Sequence, residues 1–503
     1  MQIHSKVFAR LSVVVLYTTN YLIITTSINI EESFMNKNTK IVATIGPATE
    51  SKEILSQLIA SGMNVARFNT KHSEPAWHNE RIQRVRDVAT QLNKPVATLL
   101  DLQGPEIRIN VPGEKGFLVK KGESTIFTSD ENFAAPNFAL VPQTVIECLS
   151  VNDLILLEDG ESEFTIIEKG GNFIEAQAVM DSKVNHRKTM NTPGVVLNMP
   201  SLTERDYQYL DGVKPELVDF VGLSFVRDAQ DIAILRQELK KRNFNAAVVS
   251  KIENQKAINN IDEIIAASDA IMVARGDLAV EVPYQELTHW QKIIIAKCRN
   301  AAIPVITATQ MLKSMVSSPR PSRAEVSDVA NAIYDGTDAV MLSEETTVGA
   351  YPVKAVQTQS IIAQYNERFT DFEAPSLPED QIELDTLISD AAVGLLKKTK
   401  KIDKIICFSE TGKTARMFSR FRLNTPIIAV TSSEEIRRKL SLLYGVTPYV
   451  LKFKNNSIEE ESKVIAIMKE NGLIQTGERI IFVHGSRWQD AGHTNCLSVH
   501  TIA

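Results

Sequence analysis

Cysteine is scarce in this chain: four in 503 residues, at Cys148, Cys298, Cys407 and Cys496, with no paired spacing. That scatter argues against a disulfide framework or a zinc site and fits a reducing compartment. Basic excess is missing too. The formal net charge is −6, with 55 Lys and Arg against 61 Asp and Glu, and the signs are interspersed. Without a basic stripe, nucleic acid drops out as an expected partner. Long apolar runs are confined to the beginning, where Lys6 and Arg10 precede a stretch from Leu11 to Ile30. Thr18, Thr19, Asn20 and the run Thr25-Thr26-Ser27 interrupt it. No small-residue cleavage site follows, and the interruptions weaken a spanning helix. Residues 1–36 are expected to lie outside the fold, and the protein to be cytoplasmic.

What is present centres on two short apolar runs. Ala246-Ala247-Val248-Val249 ends in Ser250-Lys251-Ile252-Glu253-Asn254, and Ala270-Ile271-Met272-Val273 ends in Ala274-Arg275-Gly276-Asp277. Runs of this length read as strands buried on both faces, with the polar residues at a strand mouth. Lys251 and Glu253, two apart, leave their strand on the same side. One cation beside the carboxylates of Glu253 and Asp277 suits magnesium, which takes one or two carboxylates, waters and substrate phosphate. For Lys251 and Glu253 alone, an ion-pair network is the plainer reading.

Along the chain, further apolar runs alternate with helical patterns. Strands are expected at 40–44, 64–68, 95–100, 219–223, 246–249, 270–273, 303–307 and 339–342. Helices are expected at 51–60, from Pro75 onward, and at 228–241. Eight such strands imply a (β/α)8 TIM barrel, whose catalytic residues come from the C-terminal ends of several strands. Arg67, Asn69, Asp101, Lys251, Glu253, Asp277 and Thr309 then converge on one mouth. Any one of them is explicable as structure; the seven together are not. Between about 106 and 200 the chain instead shows short alternating runs broken by turn residues, among them Asp159-Gly160 and Gly170-Gly171. That is a small β-barrel-like insert. After a Pro- and acid-rich linker, strands at 404–408, 426–430, 447–452 and 479–483 alternate with helices in a second α/β layer. The expected domains are 37–104 with 201–360 (barrel), 105–200 (insert) and 370–503 (C-terminal α/β).

At this point the residues resemble a family. TKIVATIGPAT, GMNVARFN, DLQGPEIR, SKIENQKA, IMVARGDLAVE, ATQML, the run PRPSRAEVSDVANAIYDGTDAVMLSEET and a late GHTN occur in the order and spacing of pyruvate kinase, from about Lys40 to the C-terminus. The resemblance implies a magnesium- or manganese-dependent transfer from phosphoenolpyruvate to ADP, giving pyruvate and ATP at the final step of glycolysis, usually in a homotetramer. It implies Glu253 and Asp277 as metal ligands, Arg67 and Lys251 on the phosphate, and Thr309 near the proton donor. It lays the substrate carboxylate against Ala274, Arg275 and Gly276, and places Asn69, His72, Arg108 and Lys188 near the nucleotide. Ser343 and Glu345 either continue a proton relay or serve as packing and cap residues.

Two departures stand out. Where the family commonly has a Ser that helps bind an activating potassium ion, this chain has Lys71; Asn69 and Asp101 of that site remain, and Leu102 replaces a usual Thr, a change that costs little if that ligand is a backbone carbonyl. The Lys71 ammonium either occupies the potassium position, making potassium unnecessary, or points to solvent. Gln103 stands where a Lys is common. In the third domain, Ser409-Glu410-Thr411-Gly412-Lys413-Thr414 suits a phosphate group. It matches the family's effector loop, with Arg487 and Trp488 later in the chain, so a sugar-phosphate activator is expected there unless the loop is an ordinary capped helix start. The competing functions are a magnesium-dependent barrel lyase acting on an enolate, and a non-catalytic relative of the kinase.

Overall fold

The computed structural model describes residues 37–376, 383–399, 401–451, 459–485 and 494–503. Residues 1–36, Arg487 and Trp488, on which expectations fell, lie outside the described residues. No described helix is long and apolar enough to cross a membrane.

Eight parallel strands close a barrel: β1 (Lys40–Thr44), β2 (Val65–Asn69), β3 (Ala97–Asp101), β4 (Phe220–Leu223), β5 (Ala247–Ile252), β6 (Ala270–Ala274), β7 (Val305–Ala308) and β8 (Ala339–Leu342). The order is sequential, and β1 pairs with both β2 and β8. Nearly every residue of these strands is buried, which is why they read as continuous apolar runs and not as alternations. Two strands start two residues later than expected, and three others one residue later. Pro95 and Pro304 lack the N–H that a ladder needs, so β3 begins at Ala97 and β7 at Val305. β5 runs longer, since Ser250 and Lys251 stay in register with Ile271 and Met272 before the chain leaves the sheet.

Local capping sets the helices between them. Ser51 accepts the Ile54 N–H at the start of Lys52–Ala60, and Asp228 accepts from Gln230 and Asp231 at the start of Ala229–Lys241. Leu55, Leu58 and Ile59 on the first helix, and Ile232, Leu235 and Leu239 on the second, pack on the outside of the barrel. Between β3 and β4 the chain forms a six-stranded and a two-stranded sheet around Phe127, Phe164 and Ile174. One short helix, Gln143–Cys148, interrupts this β unit.

The C-terminal sheet has five strands in the order β11-β10-β9-β12-β13, where β9 is Lys404–Phe408, β10 Ile427–Thr431, β11 Val446–Val450, β12 Arg479–His484 and β13 Cys496–Thr501. β13, antiparallel at the edge, and the helix Leu384–Thr399 went unread in the sequence. This unit holds the barrel from below. Leu442 joins the barrel's inner cluster beside Val42, Val249 and Met272. Asp338, just ahead of β8, accepts from Arg422 at 2.6 Å and from the Tyr444 N–H at 3.0 Å. Asp219, just ahead of β4, meets Arg438 at 3.0 Å and Arg86 at 2.6 Å.

Two lysines buried at the same junction make stability pH-dependent. Lys37 donates to Asn64 Oδ1 and Lys40 to the Val446 carbonyl, both at 2.8 Å. Burial lowers Lys37 to about 7 and Lys40 to about 8, against 10.5 for a free lysine. The folded protein therefore binds fewer protons than the unfolded chain in this window. Stability contributed by these sites rises with pH from about 7 toward 10.5, and their cost is greatest below 7. Lys37→Met is expected to flatten that rise in urea unfolding and to add on the order of 2 kcal/mol near neutrality. An unchanged pH slope would remove Lys37 as its source.

Candidate functional site

The strand ends at the C-terminal mouth form one buried chain of charge. Arg67, on β2, donates from Nε to Asp101 Oδ2 at 2.7 Å, with a second guanidinium nitrogen 2.6 Å from the same oxygen. Its Nη1 donates to Thr44 Oγ1 at 3.0 Å, which fixes the guanidinium plane. The other Asp101 oxygen lies 3.5 Å from Lys251 Nζ, and Lys251 reaches Glu253 Oε1 at 2.7 Å and donates to Ser224 Oγ at 2.7 Å. Glu253 Oε2 accepts the Phe225 N–H at 2.6 Å. Asp101 fits only because Gly222 faces it: a Cβ there would stand 2.9 Å from Asp101 Oδ1.

Burial opposes charge at each of these groups, and the neighbours outweigh it at two of them. On Asp101, Lys251 and then Arg67 outweigh burial and hold the carboxyl below its usual range. On Lys251, burial is outweighed by Asp101, Glu253 and Asp277, which raise it above an ordinary lysine. On Glu253 burial wins, only partly offset by Lys251, and Asp277 pushes its carboxyl up further. Its Oε1, though close to Lys251, has no aligned hydrogen bond, and Asp101 Oδ1 is likewise buried without one. Orphaned carboxylate oxygens in a charged pocket are what a divalent cation needs. Asp277 lies on the first turn of the helix Arg275–Glu281, half-buried and without a paired cation among the described residues.

Thr309 closes the mouth on the β7 side. It holds φ at 70°, a left-handed conformation that a β-branched residue adopts at a cost, and Gln310 follows at 54°. Its hydroxyl donates to the Ala308 carbonyl and accepts the Gly276 N–H, both at 2.7 Å. Arg275 is a brace: it pairs with both oxygens of Asp328, at 2.6 and 2.7 Å, and donates to the Thr309 carbonyl at 2.7 Å. Glu345 accepts from the Leu312 and Ser343 backbone N–H groups, at 3.0 and 2.8 Å. Both its oxygens accept backbone N–H groups, as a packing and cap residue would.

Above the mouth lies a cleft of about 590 Å³ between barrel and β insert. Asp277, Lys71, Glu106, Arg108, Lys188 and Asp159 line it, while Arg67, Lys251, Glu253, Thr309, Asn69 and His72 do not. Arg108 is held by Glu106 at 3.0 Å and Lys188 by Glu158 at 2.8 Å. Lys71 does not point to solvent: its side chain is 23% exposed and its ammonium lies 3.2 Å from Glu106 Oε1. From there it lowers the Asp101 carboxyl without touching it. Asn69 Oδ1 accepts the Lys71 N–H at 3.0 Å, and the Leu102 carbonyl accepts from Ser224 Oγ at 2.7 Å. Gln103 contributes its backbone N–H to Asp206 at 2.9 Å.

Sequence reasoning missed Ser224, Phe225 and Asp159. Ser224 directly follows β4 and carried the signal used for the other strands, a polar residue at a strand end. Asp159 was read only as a turn residue. It reaches the cleft from the insert, where burial and then Asp277 push its carboxyl up. The expected effector loop makes contacts with the rest of the C-terminal unit. Lys413 is paired with Glu383 at 2.6 Å and Asp385 at 2.7 Å, and Thr414 Oγ1 lies 2.7 Å from Thr494 Oγ1. The Thr411 hydroxyl accepts the Lys413 N–H at 3.4 Å, and the buried Ser409 Oγ has no partner among the described residues.

Comparison with known proteins covers nearly the whole chain. The family described as pyruvate kinase, barrel domain, matches residues 36–356, and pyruvate kinase, alpha/beta domain, matches residues 386–500. A pyruvate kinase of Staphylococcus epidermidis (strain RP62A) is 38% identical over 472 residues, spanning 93% of this chain and 80% of that one. One from Staphylococcus aureus (strain MRSA252) is 39% identical over the same length and shares. A crystal structure of a pyruvate kinase from Cryptosporidium parvum superposes with a TM-score of 0.87 at 34% identity, over 94% of this chain and 97% of that one.

Proposed function

Since the chain belongs to the pyruvate kinase family, and is by that membership a phosphotransferase, we propose that it moves the phosphoryl group of phosphoenolpyruvate to ADP at the mouth of the barrel. The observation that carries this reading is the buried sequence Arg67–Asp101–Lys251–Glu253 with Asp277 beside it. Glu253 and Asp277 would hold magnesium or manganese, with waters and substrate oxygens completing the shell. Such an ion, when bound, neutralises phosphoryl and enolate charge as a Lewis acid.

The rest is the work of this chain's own groups. Arg67 and Lys251 hold the transferring phosphoryl, whose bond to the enol oxygen breaks as one to a terminal ADP oxygen forms. That transition state offers little covalent chemistry, so fixed cations carry the acceleration. Asp101 positions both cations. The electron pair left on the enol oxygen is stabilised by Lys251. A proton then arrives at the methylene carbon, giving pyruvate, and the Thr309 hydroxyl is placed at that step. The Ala274–Gly276 turn receives the substrate carboxylate. Arg108 and Lys188, with Asn69 and His72 nearer the barrel, serve the nucleotide. The same reading gives a cytoplasmic glycolytic enzyme, with a homotetramer as its expected assembly.

Lys71 supplies the charge that potassium brings elsewhere in the family. Its ammonium sits in the cleft on Glu106 and acts on Asp101, so an added monovalent cation has less to neutralise. The test is pyruvate formation from phosphoenolpyruvate and ADP with magnesium, in sodium- or potassium-containing buffer. Turnover is expected in both, within about twofold, a difference under roughly 0.5 kcal/mol. Turnover in potassium alone would keep the kinase and discard the role of Lys71. No turnover in either would return the site to a lyase or a non-catalytic relative.

A further inference from the structure

The helix Glu204–Gly212 is the first element after the β insert, and its cap holds both crossings between insert and barrel. Thr203 accepts the Asp206 N–H, and the Asp206 carboxylate accepts the Thr203 N–H and hydroxyl at 2.8 and 2.7 Å. Asp206 is fully buried and also accepts the N–H groups of Gln103 and Gly104, at 2.9 and 3.3 Å. Gln103 and Gly104 lead into the insert, and Thr203 comes out of it. Glu106, the partner of Lys71, follows just beyond Gly104 and donates its own N–H back to the Gly104 carbonyl.

The same helix reaches the loop between β2 and the helix Pro75–Gln91. Arg205 donates from Nε to the Thr70 carbonyl at 3.0 Å and from Nη2 to the Ser73 carbonyl at 2.8 Å. One turn on, the Tyr209 hydroxyl lies 2.9 Å from the Ser73 carbonyl and 3.1 Å from that of His72. Burial raises this hydroxyl to about 12, so it stays a donor. Its ring is fixed between the Arg205 guanidinium, 5.2 Å away, and His78, edge-on at 5.3 Å. On the loop's other side the Thr70 N–H and hydroxyl both go to the Asp101 carbonyl, each at 3.0 Å. Ser73 needs this support, because it holds φ at 64°. With its carbonyls pinned, the loop directs Lys71 onto Glu106 in the cleft. One helix therefore sets both partners of that pair, Glu106 through Asp206 and Lys71 through Arg205 and Tyr209. We propose that Arg205 and Tyr209 are positioning residues for nucleotide binding: they hold the loop carrying Asn69, Lys71 and His72 in the form that ADP meets. The assignment rests on the kinase reading above. Neither side chain lines the cleft, so both act through the loop.

The experiment is steady-state kinetics of the full chain with magnesium, ADP and phosphoenolpyruvate varied in turn, with melting temperatures recorded beside it. Tyr209→Phe removes the hydroxyl and keeps the ring, and Arg205→Gln removes the guanidinium fork. Each is expected to raise KM for ADP roughly three- to tenfold, and the pair more than about tenfold. Both kcat and the KM for phosphoenolpyruvate should stay within about twofold of the parent, a split that general loosening of the fold would not give. Arg205→Lys should fall between parent and Arg205→Gln, because an ammonium offers no planar fork to two carbonyls. Asp211→Asn, on the same helix but paired with Arg242 at 2.6 Å, should change neither KM. Titration calorimetry with magnesium and ADP reads the same loss without turnover. Tyr209→Phe is the arm for the case in which Arg205→Gln does not fold. The assignment is overturned if folded variants keep the parent's KM for ADP, if both KM values rise together, if kcat alone falls, or if Asp211→Asn gives the same rise. A parent that neither turns over nor binds ADP would overturn the kinase reading and this role with it. A parent that turns over beside unchanged variants overturns the role alone.

Discussion

Lys251→Met is expected to lower kcat on the order of a thousandfold or more while leaving divalent-metal affinity within a few-fold of the parent. The asymmetry follows from the geometry. Lys251 is the cation common to Asp101 at 3.5 Å and Glu253 at 2.7 Å, and it is the group placed to meet charge appearing on the enol oxygen. Methionine fills the same space without that charge. Glu253 and Asp277 remain, and the loss of a neighbouring cation favours a divalent ion. A manganese titration followed by electron paramagnetic resonance reads binding, and a coupled lactate dehydrogenase assay reads turnover. Breaking a buried pair costs about 3–5 kcal/mol, so the melting temperature has to accompany both readings. Equal loss of metal and turnover in a folded variant would sink the role given to Lys251.

Asp277→Asn should show the converse pattern. The amide keeps shape and volume but removes the one carboxylate of the group that lines the cleft and has no cation bound to it. Loss of a supporting residue around a metal typically costs 10–100-fold in affinity, so losing a direct ligand should cost more than about 100-fold. Turnover should then recover partly as metal concentration is raised, which Lys251→Met cannot do. Metal affinity unchanged in Asp277→Asn would move the ion elsewhere, to the orphaned oxygens of Glu253 and Asp101.

These two residues were legible in the sequence because barrel strands put chemistry at their C-terminal ends, and a spacing of two places Lys251 and Glu253 on one side. The barrel itself was legible for a related reason. Strands buried on both faces are unbroken apolar runs, and their starts differ by more than one residue only where Pro95 and Pro304 precede the ladder. What stayed hidden depends on position in space. The pairing of Lys71 with Glu106 joins residues far apart in sequence across a cleft. The left-handed Thr309 cannot be read from a residue type that normally avoids that conformation. β13, with its mixed polar sequence and partly exposed edge, gives neither an apolar run nor a clean alternation. The partners of Lys413 were hidden in the same way: the helix Leu384–Thr399 brings Asp385 to it, beside Glu383, and neither carboxylate belongs to the loop.

Leu442 lodged in the barrel's inner cluster bears on how the chain is made. A ribosome delivers β1 to β3 first, then the whole insert, then β4 to β8, and only about a hundred residues after β8 the side chain that stoppers the cylinder. Arg422, Arg438 and the Tyr444 N–H, which anchor the aspartates at the strand starts, emerge in the same late stretch. Domains commonly fold as they emerge, N-terminal first. Here the cylinder's inner cluster includes a side chain translated long after its last strand. A nascent chain halted before Leu442 carries every residue of the mouth yet lacks the side chain that completes the inner cluster.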